Sequence, residues 1–200
     1  MYIIGVAGGS GSGKTTFSKK VFGKLDQKRV AILHLDSYYH SLNPEIKFES
    51  QATNFDHPQA FDWELLKNHL LEIKKGKKID VPLYDFSSCM RLENTRPLYE
   101  CEILIFEGIL ALFDPKIREL LDIKCYLSVD SDIRFIRRLH RDVKERDRSI
   151  ESVIEQYYHT VRPMHQKYIG PQKQYADFII GEESDIAADI LAAKINEVLN

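Results

Sequence analysis

The sequence contains few cysteines, no long apolar run and almost no net charge. Its three cysteines, Cys89, Cys101 and Cys125, lack Cys-x-x-Cys spacing. They therefore indicate neither a disulfide framework nor a zinc site, and they fit a reducing cytosol. No apolar run approaches the roughly 18 residues of a membrane-spanning helix, and we expect no secretory signal because a strand-like run begins at residue 2. The formal net charge of −2 gives no reason to expect a nucleic-acid partner, so we predict a cytoplasmic protein without a membrane or nucleic-acid partner.

The composition is that of an ordinary globular protein. Of the 200 residues, 44% are apolar and 29% are charged, which is typical of soluble domains with a sizeable core. The sequence shows no internal repeat and no low-complexity tract. We expect a single domain over residues 1–200, with room for a small lobe or lid.

One glycine-rich stretch organises the rest of the chain. It follows an apolar run over residues 2–7, and a helix-like segment over residues 16–25 comes after it. The stretch matches the phosphate-binding loop, in which Gly and four further residues precede Gly-Lys-Ser/Thr. A Gly/Ser-rich turn is the alternative, but the full match between a strand and a helix favours a nucleotide site. The predicted nucleotide-binding residues are Gly8, Gly9, Ser10, Gly11, Ser12, Gly13, Lys14, Thr15 and Thr16.

The chemistry of such a loop assigns roles to two of its side chains. Glycines let the backbone curl so that successive N–H groups face phosphate oxygens, and the following helix adds partial positive charge. Lys14 is expected to reach the β- and γ-phosphates of ATP or GTP, and the Thr15 hydroxyl is expected to bind Mg²⁺.

Strand-like runs alternate with helical patterns along the chain. Buried, β-branched stretches follow the first run at residues 30–35, 102–108, 123–129 and 176–180. This alternation predicts an α/β protein in which helices cover both faces of a central, mostly parallel sheet. Together with the loop it predicts the three-layer P-loop NTPase fold. Residues 79–99 are expected to add a small β-hairpin flap, in which Pro82 favours an edge strand.

Carboxylates stand at the ends of two predicted strands. Ligands in open α/β sheets bind beyond the carboxyl ends of the strands, so Asp36 and Glu107 are expected near the phosphate-binding loop. Asp36 is a candidate to accept a proton from a substrate hydroxyl, although a turn or a helix N-cap would also suit an Asp there. Glu107 is a candidate to hold Mg²⁺ or its water shell.

Residues 131–150 are rich in arginine. Recurrence at helical spacing places several cations on one ridge of a predicted helix. A solvated surface helix would explain such charge, but a phosphate-binding loop in the same chain favours a helical lid whose arginines close over a transferring phosphoryl group. Not every arginine can point inward. The basic residues are Arg134, Arg137, Arg138, Arg141, Lys144, Arg146 and Arg148.

Residues 40–60 show little periodicity and are expected to form a long loop, which is usually a functional feature. The loop contains His57, which by itself fits a structural or surface histidine better than a catalytic one. Asp62 is the expected N-cap of a core helix over residues 63–75, and Gly76 is the expected stop.

The chain resembles the uridine kinase (uridine–cytidine kinase) family over nearly its whole length. The phosphate-binding loop alone is shared by many nucleotide hydrolases, whereas the combination of the Asn54-to-Pro58 motif with the Tyr84-Asp85-Phe86 motif is far more specific. The motifs that carry the resemblance are Gly8 to Thr15, Asp36-Ser37-Tyr38-Tyr39, Asn54-Phe55-Asp56-His57-Pro58 with Ala60-Phe61-Asp62, Val81-Pro82-Leu83-Tyr84-Asp85-Phe86, Phe106-Glu107-Gly108-Ile109, Arg141-Asp142, and Gln156-Tyr157 with Val161-Arg162-Pro163.

The resemblance implies transfer of the γ-phosphoryl group of ATP or GTP, with Mg²⁺, to the 5′-hydroxyl of uridine or cytidine. It implies that Asp36 is the general base and that Lys14, Arg138 and Arg141 bind phosphate. It also implies a homotetramer that pyrimidine triphosphates inhibit. The nucleoside contacts that it implies are Asp36, Tyr39, Phe55, Asp56, Tyr84, Phe86, Arg148 and Gln156.

The chain departs from the family pattern at three places. Cys89 stands where the family usually has a base-reading His, and it remains a substrate-binding candidate although a thiol is a poorer donor and acceptor than an imidazole. Asp147 stands where the lid commonly has Gly, and residues 180–183 lack a basic Pro-Arg-Gly segment. One alternative is therefore a related kinase that phosphorylates another hydroxyl, as on a sugar phosphate or pantothenate. A non-catalytic nucleotide switch or nucleoside sensor is a second alternative.

Overall fold

The computed structural model describes residues 1–41, 54–86 and 88–199. Five of its strands form a parallel sheet, and two form a separate antiparallel hairpin. The strands are β1 (Tyr2–Gly8), β2 (Val30–His34), β3 (Ile79–Asp85), β4 (Met90–Leu98), β5 (Ile103–Gly108), β6 (Ile123–Leu127) and β7 (Phe178–Ile180). The spatial order of the main sheet is β2-β5-β1-β6-β7. This confirms the predicted α/β class and the parallel sheet.

The α-helices follow the strands, as the alternating pattern predicts. The predicted helix over residues 16–25 begins two residues earlier, and Asp62 caps α2 by accepting a hydrogen bond from the backbone N–H of Leu65 at 3.0 Å. Among the described helices, none combines the length and apolarity that a bilayer crossing requires. The helices are α1 (Lys14–Gly23), α2 (Trp63–Lys74), α3 (Pro115–Arg118), α4 (Ser131–Glu145), α5 (Ile150–Gln156), α6 (Arg162–Met164) and α7 (Asp185–Leu199).

Two apolar layers enclose the sheet. Because successive side chains of a strand point to opposite faces, Ile3 packs in one buried cluster with Leu66 of α2, whereas Ile4 packs in another with Phe17 of α1 and Ala188 of α7. The sheet is therefore covered on both faces, which confirms the predicted three layers.

The hairpin of β3 and β4 is fastened beside the end of β2. Arg91 on β4 forms an ion pair with Asp62 at 3.1 Å and donates hydrogen bonds to the backbone carbonyls of Tyr38 and Tyr39 at 3.3 and 3.0 Å. The ladder shifts register next to Pro82, as expected where a strand residue lacks an N–H. These contacts bring the hairpin to the edge at which β2 ends.

The chain is helical without a break from Ile150 to Tyr175, a segment to which the sequence analysis assigned no structure. Two π turns, Tyr157–Val161 and His165–Ile169, alternate with α5, α6 and a 3₁₀ turn at Gly170–Tyr175. π turns are frequent near functional sites. Of the loop predicted over residues 40–60, residues 42–53 lie outside the described part of the chain.

Candidate active site

The carboxyl ends of β1, β2 and β5 open into a cavity of about 1130 Å³. Helices α4 and α5 face these strand ends across the cavity, so segments distant in sequence share one space. The lining residues are Ser10, Lys14, Thr15, Asp36, Tyr39, Phe55, Asp56, Phe86, Glu107, Ile109, Arg138, Arg141, Glu145, Arg146, Arg148, Ser152, Glu155, Gln156 and His159.

The glycine-rich loop has the geometry of an anion cradle. Gly11 has φ +79°, and a Cβ there would lie 2.2 Å from the carbonyl oxygen of Arg134, so only glycine fits. Gly13, the N-cap of α1, has φ +89°. The Oγ of Ser12 is buried and has no hydrogen-bond partner among the described residues, as expected for a loop whose polar groups serve a ligand. The loop therefore fits the phosphates of a nucleotide.

Lys14 is buried at the start of α1. Its Nζ donates a hydrogen bond to the carbonyl of Gly9 at 3.1 Å. Burial lowers the pKa of Lys14, while the carboxylates of Glu107 and Asp36 partly oppose that shift. The ammonium therefore stands between the loop and two acids that end neighbouring strands.

Glu107, at the end of β5, is hydrogen-bonded both to the start of α1 and to the end of β2. Its Oε1 accepts hydrogen bonds from the hydroxyl of Thr15 at 2.8 Å and from Nδ1 of His34 at 2.7 Å. Burial alone would raise the pKa of Glu107, but the hydrogen bond from His34 and the charge of Lys14 outweigh burial and lower it. An ionised carboxylate beside a threonine hydroxyl suits Mg²⁺, which prefers oxygen ligands.

Two further acids, Asp36 and Asp56, line the same cavity. Burial raises the pKa of Asp36, and the negative charge of Glu107 raises it further. Burial also raises the pKa of Asp56, while Arg138 and Lys14 oppose the shift. A carboxylate of raised pKa in a cleft is a candidate for proton transfer.

Three aromatic side chains, Tyr39, Phe55 and Phe86, form one side of the cavity, which we call the aromatic wall. Tyr39 stacks on Phe61 with ring centroids 4.3 Å apart. It meets Phe55 and Phe86 edge to face, at 5.3 and 6.1 Å. Tyr39, Phe55 and Phe86 line the cavity, so the wall offers a planar ligand apolar contact.

Tyr84 and Cys89 adjoin this wall and are not among the residues that line the cavity. Tyr84 packs against Tyr39 at 5.2 Å, and burial raises the pKa of Tyr84 to about 12. Cys89 has φ +58° in the turn between β3 and β4, where its Sγ lies 3.6 Å from the carbonyl of Phe86.

The predicted basic ridge divides between the inside and the outside of the molecule. Arg137 pairs with Glu182 at 2.6 Å on the surface, and Lys144 is exposed. Arg134 is buried against its own helix start, where it donates to the carbonyl of Val129 at 2.9 Å. The cations that reach the cavity form what we call the arginine cluster, which consists of Arg138, Arg141, Arg146 and Arg148.

The arginine cluster also contacts the phosphate-binding loop and α5. Arg138 donates hydrogen bonds to Oγ of Ser10 at 2.8 Å and to Oε1 of Gln156 at 2.7 Å. Arg148 donates to the same oxygen of Gln156. The guanidinium of Arg146 lies 5.5 Å from the ring centroid of Phe86. The cluster thus spans from the loop to the aromatic wall.

Sequence reasoning missed three residues near the site. His34 orients Glu107, and Asp142 contacts all four members of the arginine cluster. Burial and the charge of Arg134 lower the pKa of His165, beside the phosphate-binding loop, to about 4. The Arg141-Asp142 motif was a visible signal for Asp142, whereas no local pattern marked the other two.

His57 has a structural role, since its Nδ1 accepts a hydrogen bond from the backbone N–H of Gln59 at 3.1 Å.

A phosphate-binding loop, an acid beside its threonine, a second acid near the end of the neighbouring strand and a facing set of arginines are the features of a P-loop kinase. The model of the Phosphoribulokinase / Uridine kinase family matches residues 3–187. The chain belongs to that family.

Full-length relatives agree with this assignment. The chain is 48% identical to a uridine kinase of Clostridium botulinum (strain Okra / Type B1), over 98% of this chain and 97% of the relative. It is also 48% identical to a uridine kinase of Clostridium perfringens (strain SM101 / Type A), over 98% and 95%. Among solved structures, D-glycerate 3-kinase from Cryptococcus neoformans shares the fold, with a TM-score of 0.65, 16% identity, and coverage of 91% of this chain and 86% of that one.

Proposed function

We propose that the protein is a uridine/cytidine kinase, which transfers the γ-phosphoryl group of ATP or GTP to the 5′-hydroxyl of the nucleoside. The observation that carries the proposal is the position of Asp36, which lines the same cavity as Lys14, the arginine cluster and the aromatic wall. Relatives that are 48% identical over nearly their whole length are uridine kinases. A kinase for another hydroxyl and a non-catalytic sensor are therefore not favoured.

The donor half of the site holds the triphosphate. Backbone N–H groups of residues 8–15 and the ammonium of Lys14 bind the β- and γ-phosphates. Thr15 and Glu107 are the residues that would hold Mg²⁺, which supplies charge neutralisation between the phosphates when bound. Arg138 and Arg141 approach from the other side and stabilise negative charge on the transferring group.

The acceptor half orients and activates the nucleoside. Tyr39, Phe55 and Phe86 contact the planar base, and Asp56 accepts hydrogen bonds from ribose hydroxyls. Asp36 aligns the acceptor hydroxyl and takes its proton, a step that general-base catalysis typically accelerates by about 10²–10⁴-fold. Arg148 and Gln156, which are joined by a hydrogen bond, contact the nucleoside, and Tyr84 and Cys89 contribute to base binding beside the aromatic wall.

The site proposal includes two structural parts. Residues 79–99 act as a flap over the base, and residues 131–150 act as a lid over the phosphates, within one domain that comprises residues 1–200. By family resemblance we also propose a cytoplasmic homotetramer.

A coupled assay of ADP release tests the proposal. With ATP and Mg²⁺, uridine or cytidine is expected to stimulate ADP release by about tenfold or more over the rate without acceptor, because the nucleoside supplies the attacking hydroxyl. Sugar phosphates and pantothenate serve as competing acceptors. Stimulation by one of these acceptors and by neither nucleoside would assign the enzyme to the alternative kinase class, and nucleotide binding without ADP release would indicate a sensor.

A further inference from the structure

Asp142 lies at the centre of the arginine cluster. It belongs to α4, and its side chain is 0% exposed. Its Oδ1 contacts Nη2 of Arg141 at 2.8 Å and Nη1 of Arg146 at 3.5 Å. Its Oδ2 lies 3.5 Å from Nε of Arg138 and 3.8 Å from Nη1 of Arg148. One carboxylate therefore serves four guanidinium groups.

The two oxygens of the Asp142 carboxylate differ in how closely they bind the arginines. Nε of Arg141 also donates to Oδ1 at 2.9 Å, so Arg141 is firmly held. By contrast, Oδ2 and Nε of Arg138 are buried and have no hydrogen-bond partner among the described residues. Arg138 instead uses its two terminal nitrogens on Ser10 and Gln156. Asp142 thus holds Arg138 by charge at Nε, without occupying its two terminal nitrogens.

The charges around Asp142 do not cancel. Four arginines surround one carboxylate, so the cluster itself keeps an excess of positive charge. Without the carboxylate the four guanidinium groups would repel one another, and the side chains of Arg141, Arg146 and Arg148 are partly exposed and could turn toward solvent. A preorganised positive site stabilises developing negative charge because it needs no rearrangement during the reaction.

We propose that Asp142 is a positioning residue for phosphoryl transfer, which holds Arg138 and Arg141 in the orientation that meets the transferring group. This inference rests on the proposed kinase function. A purely structural ion pair is the alternative. A structural ion pair requires only one tight partner, which Arg141 already provides. Asp142 also makes longer contacts with Arg138, Arg146 and Arg148, and a purely structural role does not explain these three contacts.

Steady-state kinetics of Asp142→Asn tests the role, because this substitution keeps the shape and removes the charge. We expect kcat to fall by about tenfold or more, since misplaced groups at a reacting centre can cost about 10²-fold in rate. The KM for ATP is expected to stay within about threefold, because the phosphate-binding loop and Lys14 are intact. A merely structural role would lower the melting temperature and leave kcat per folded molecule unchanged.

Asp132→Asn is the matched control, because Asp132 is exposed in the first turn of the same helix. It loses the same charge, and its kcat is expected to remain within about twofold of the parent value. A kcat for Asp142→Asn within that same range would overturn the inference. So would a raised KM for ATP with kcat unchanged, because that result assigns Asp142 to ground-state binding.

Arginine NMR supplies a readout that does not depend on turnover. In the full chain labelled with ¹⁵N-arginine, the Nε–H of Arg141 is expected to give a signal that exchanges slowly with solvent, since it donates to a buried oxygen. The signal is assigned by its loss in Arg141→Lys. It is expected to persist in Asp132→Asn and to exchange markedly faster with solvent in folded Asp142→Asn, because a neutral amide oxygen is a weaker acceptor than a carboxylate. Absence of any protected Nε–H signal from Arg141 in the parent would overturn the inference. If no nucleoside stimulates ADP release while this signal is present and depends on Asp142, the proposed function fails and the positioning of Arg141 stands.

Discussion

The hydroxyl of Thr15 donates a hydrogen bond of 2.8 Å to Oε1 of Glu107, across 92 residues of sequence. The contact exists because β1 and β5 are parallel neighbours, so the loop after one strand meets the last residues of the other. His34 donates to the same oxygen from the end of β2.

The first prediction concerns Glu107→Gln. The substitution removes the negative charge that suits Mg²⁺, and we expect the Mg²⁺ concentration for half-maximal ADP release to rise by about tenfold or more, because each charged oxygen contributes strongly to Mg²⁺ binding. Titration of Mg²⁺ at fixed ATP measures the effect. Glu102→Gln is the control, because Glu102 pairs with Arg29 at 2.6 Å just before the same strand. Equal Mg²⁺ requirements for both variants would remove Glu107 from the metal site.

The second prediction concerns Asp36→Asn and turnover. If Asp36 takes the proton of the acceptor hydroxyl, the amide should leave ATP binding largely intact and lower turnover by about tenfold or more. ATP affinity is measured by calorimetry, and turnover by ADP release with uridine. Turnover within about twofold of the parent would show that Asp36 is not the base.

The same substitution should stabilise the protein without ligands at neutral pH. The pKa of Asp36 is raised by burial and by Glu107, so the folded chain binds the proton more tightly than the unfolded chain. That stabilising proton is fully present below the unfolded pKa of about 3.9, and it is lost as pH rises through the folded pKa.

Asp36→Asn avoids this loss. Its melting temperature is expected to exceed that of the parent at pH 8 by a few degrees, since about 1 kcal/mol corresponds to roughly 2–4 °C in a chain of this size. The difference should shrink as pH falls toward about 4. A melting temperature lower than that of the parent at pH 8 would contradict the conclusion that the ionised, buried carboxylate of Asp36 destabilises the folded protein.

The third prediction concerns Gly11→Ala. A Cβ at this position meets the carbonyl oxygen of Arg134 at 2.2 Å and requires φ +79°. The loop must therefore shift away from α4, and we expect ATP affinity to fall by about tenfold or more because the N–H groups lose their alignment. Gly23→Ala is the control, since nothing lies within 4 Å of its Cβ. Unchanged ATP affinity in Gly11→Ala would show that the loop tolerates a shift.

The fourth prediction concerns Cys89→His. An imidazole can exchange hydrogen bonds with a pyrimidine more effectively than a thiol, so we expect the catalytic efficiency for uridine or cytidine to rise by about threefold or more, through the gain of one hydrogen bond. Cys101→Ser serves as a control, because Cys101 is buried outside the cavity. No change for any nucleoside would place residue 89 away from the base.

Much of the site could be predicted because its local patterns carry chemistry. The spacing of Gly8 to Thr15 is typical of a phosphate-binding loop. A carboxylate that follows a parallel strand is expected at the edge of the sheet where ligands bind. Helical spacing identified the basic ridge but could not show which of its residues face the cavity and which face solvent. Arg137 turns outward to Glu182, and Arg138 turns inward to Ser10, because α4 presents only one face to the cavity.

By itself, the sequence determined the class of fold, the phosphate-binding loop and the acids that end β2 and β5. These features depend on residues that are neighbours in the chain and on the alternation of strands and helices, and both can be recognised in the sequence. Only the tertiary structure decided that His34 shares an oxygen of Glu107 with Thr15 and that Gln156 joins Arg138 to Arg148. It also decided that Cys89 does not line the cavity. Such contacts join residues far apart in the chain, and their geometry follows from how the helices pack on the sheet, which no local pattern encodes.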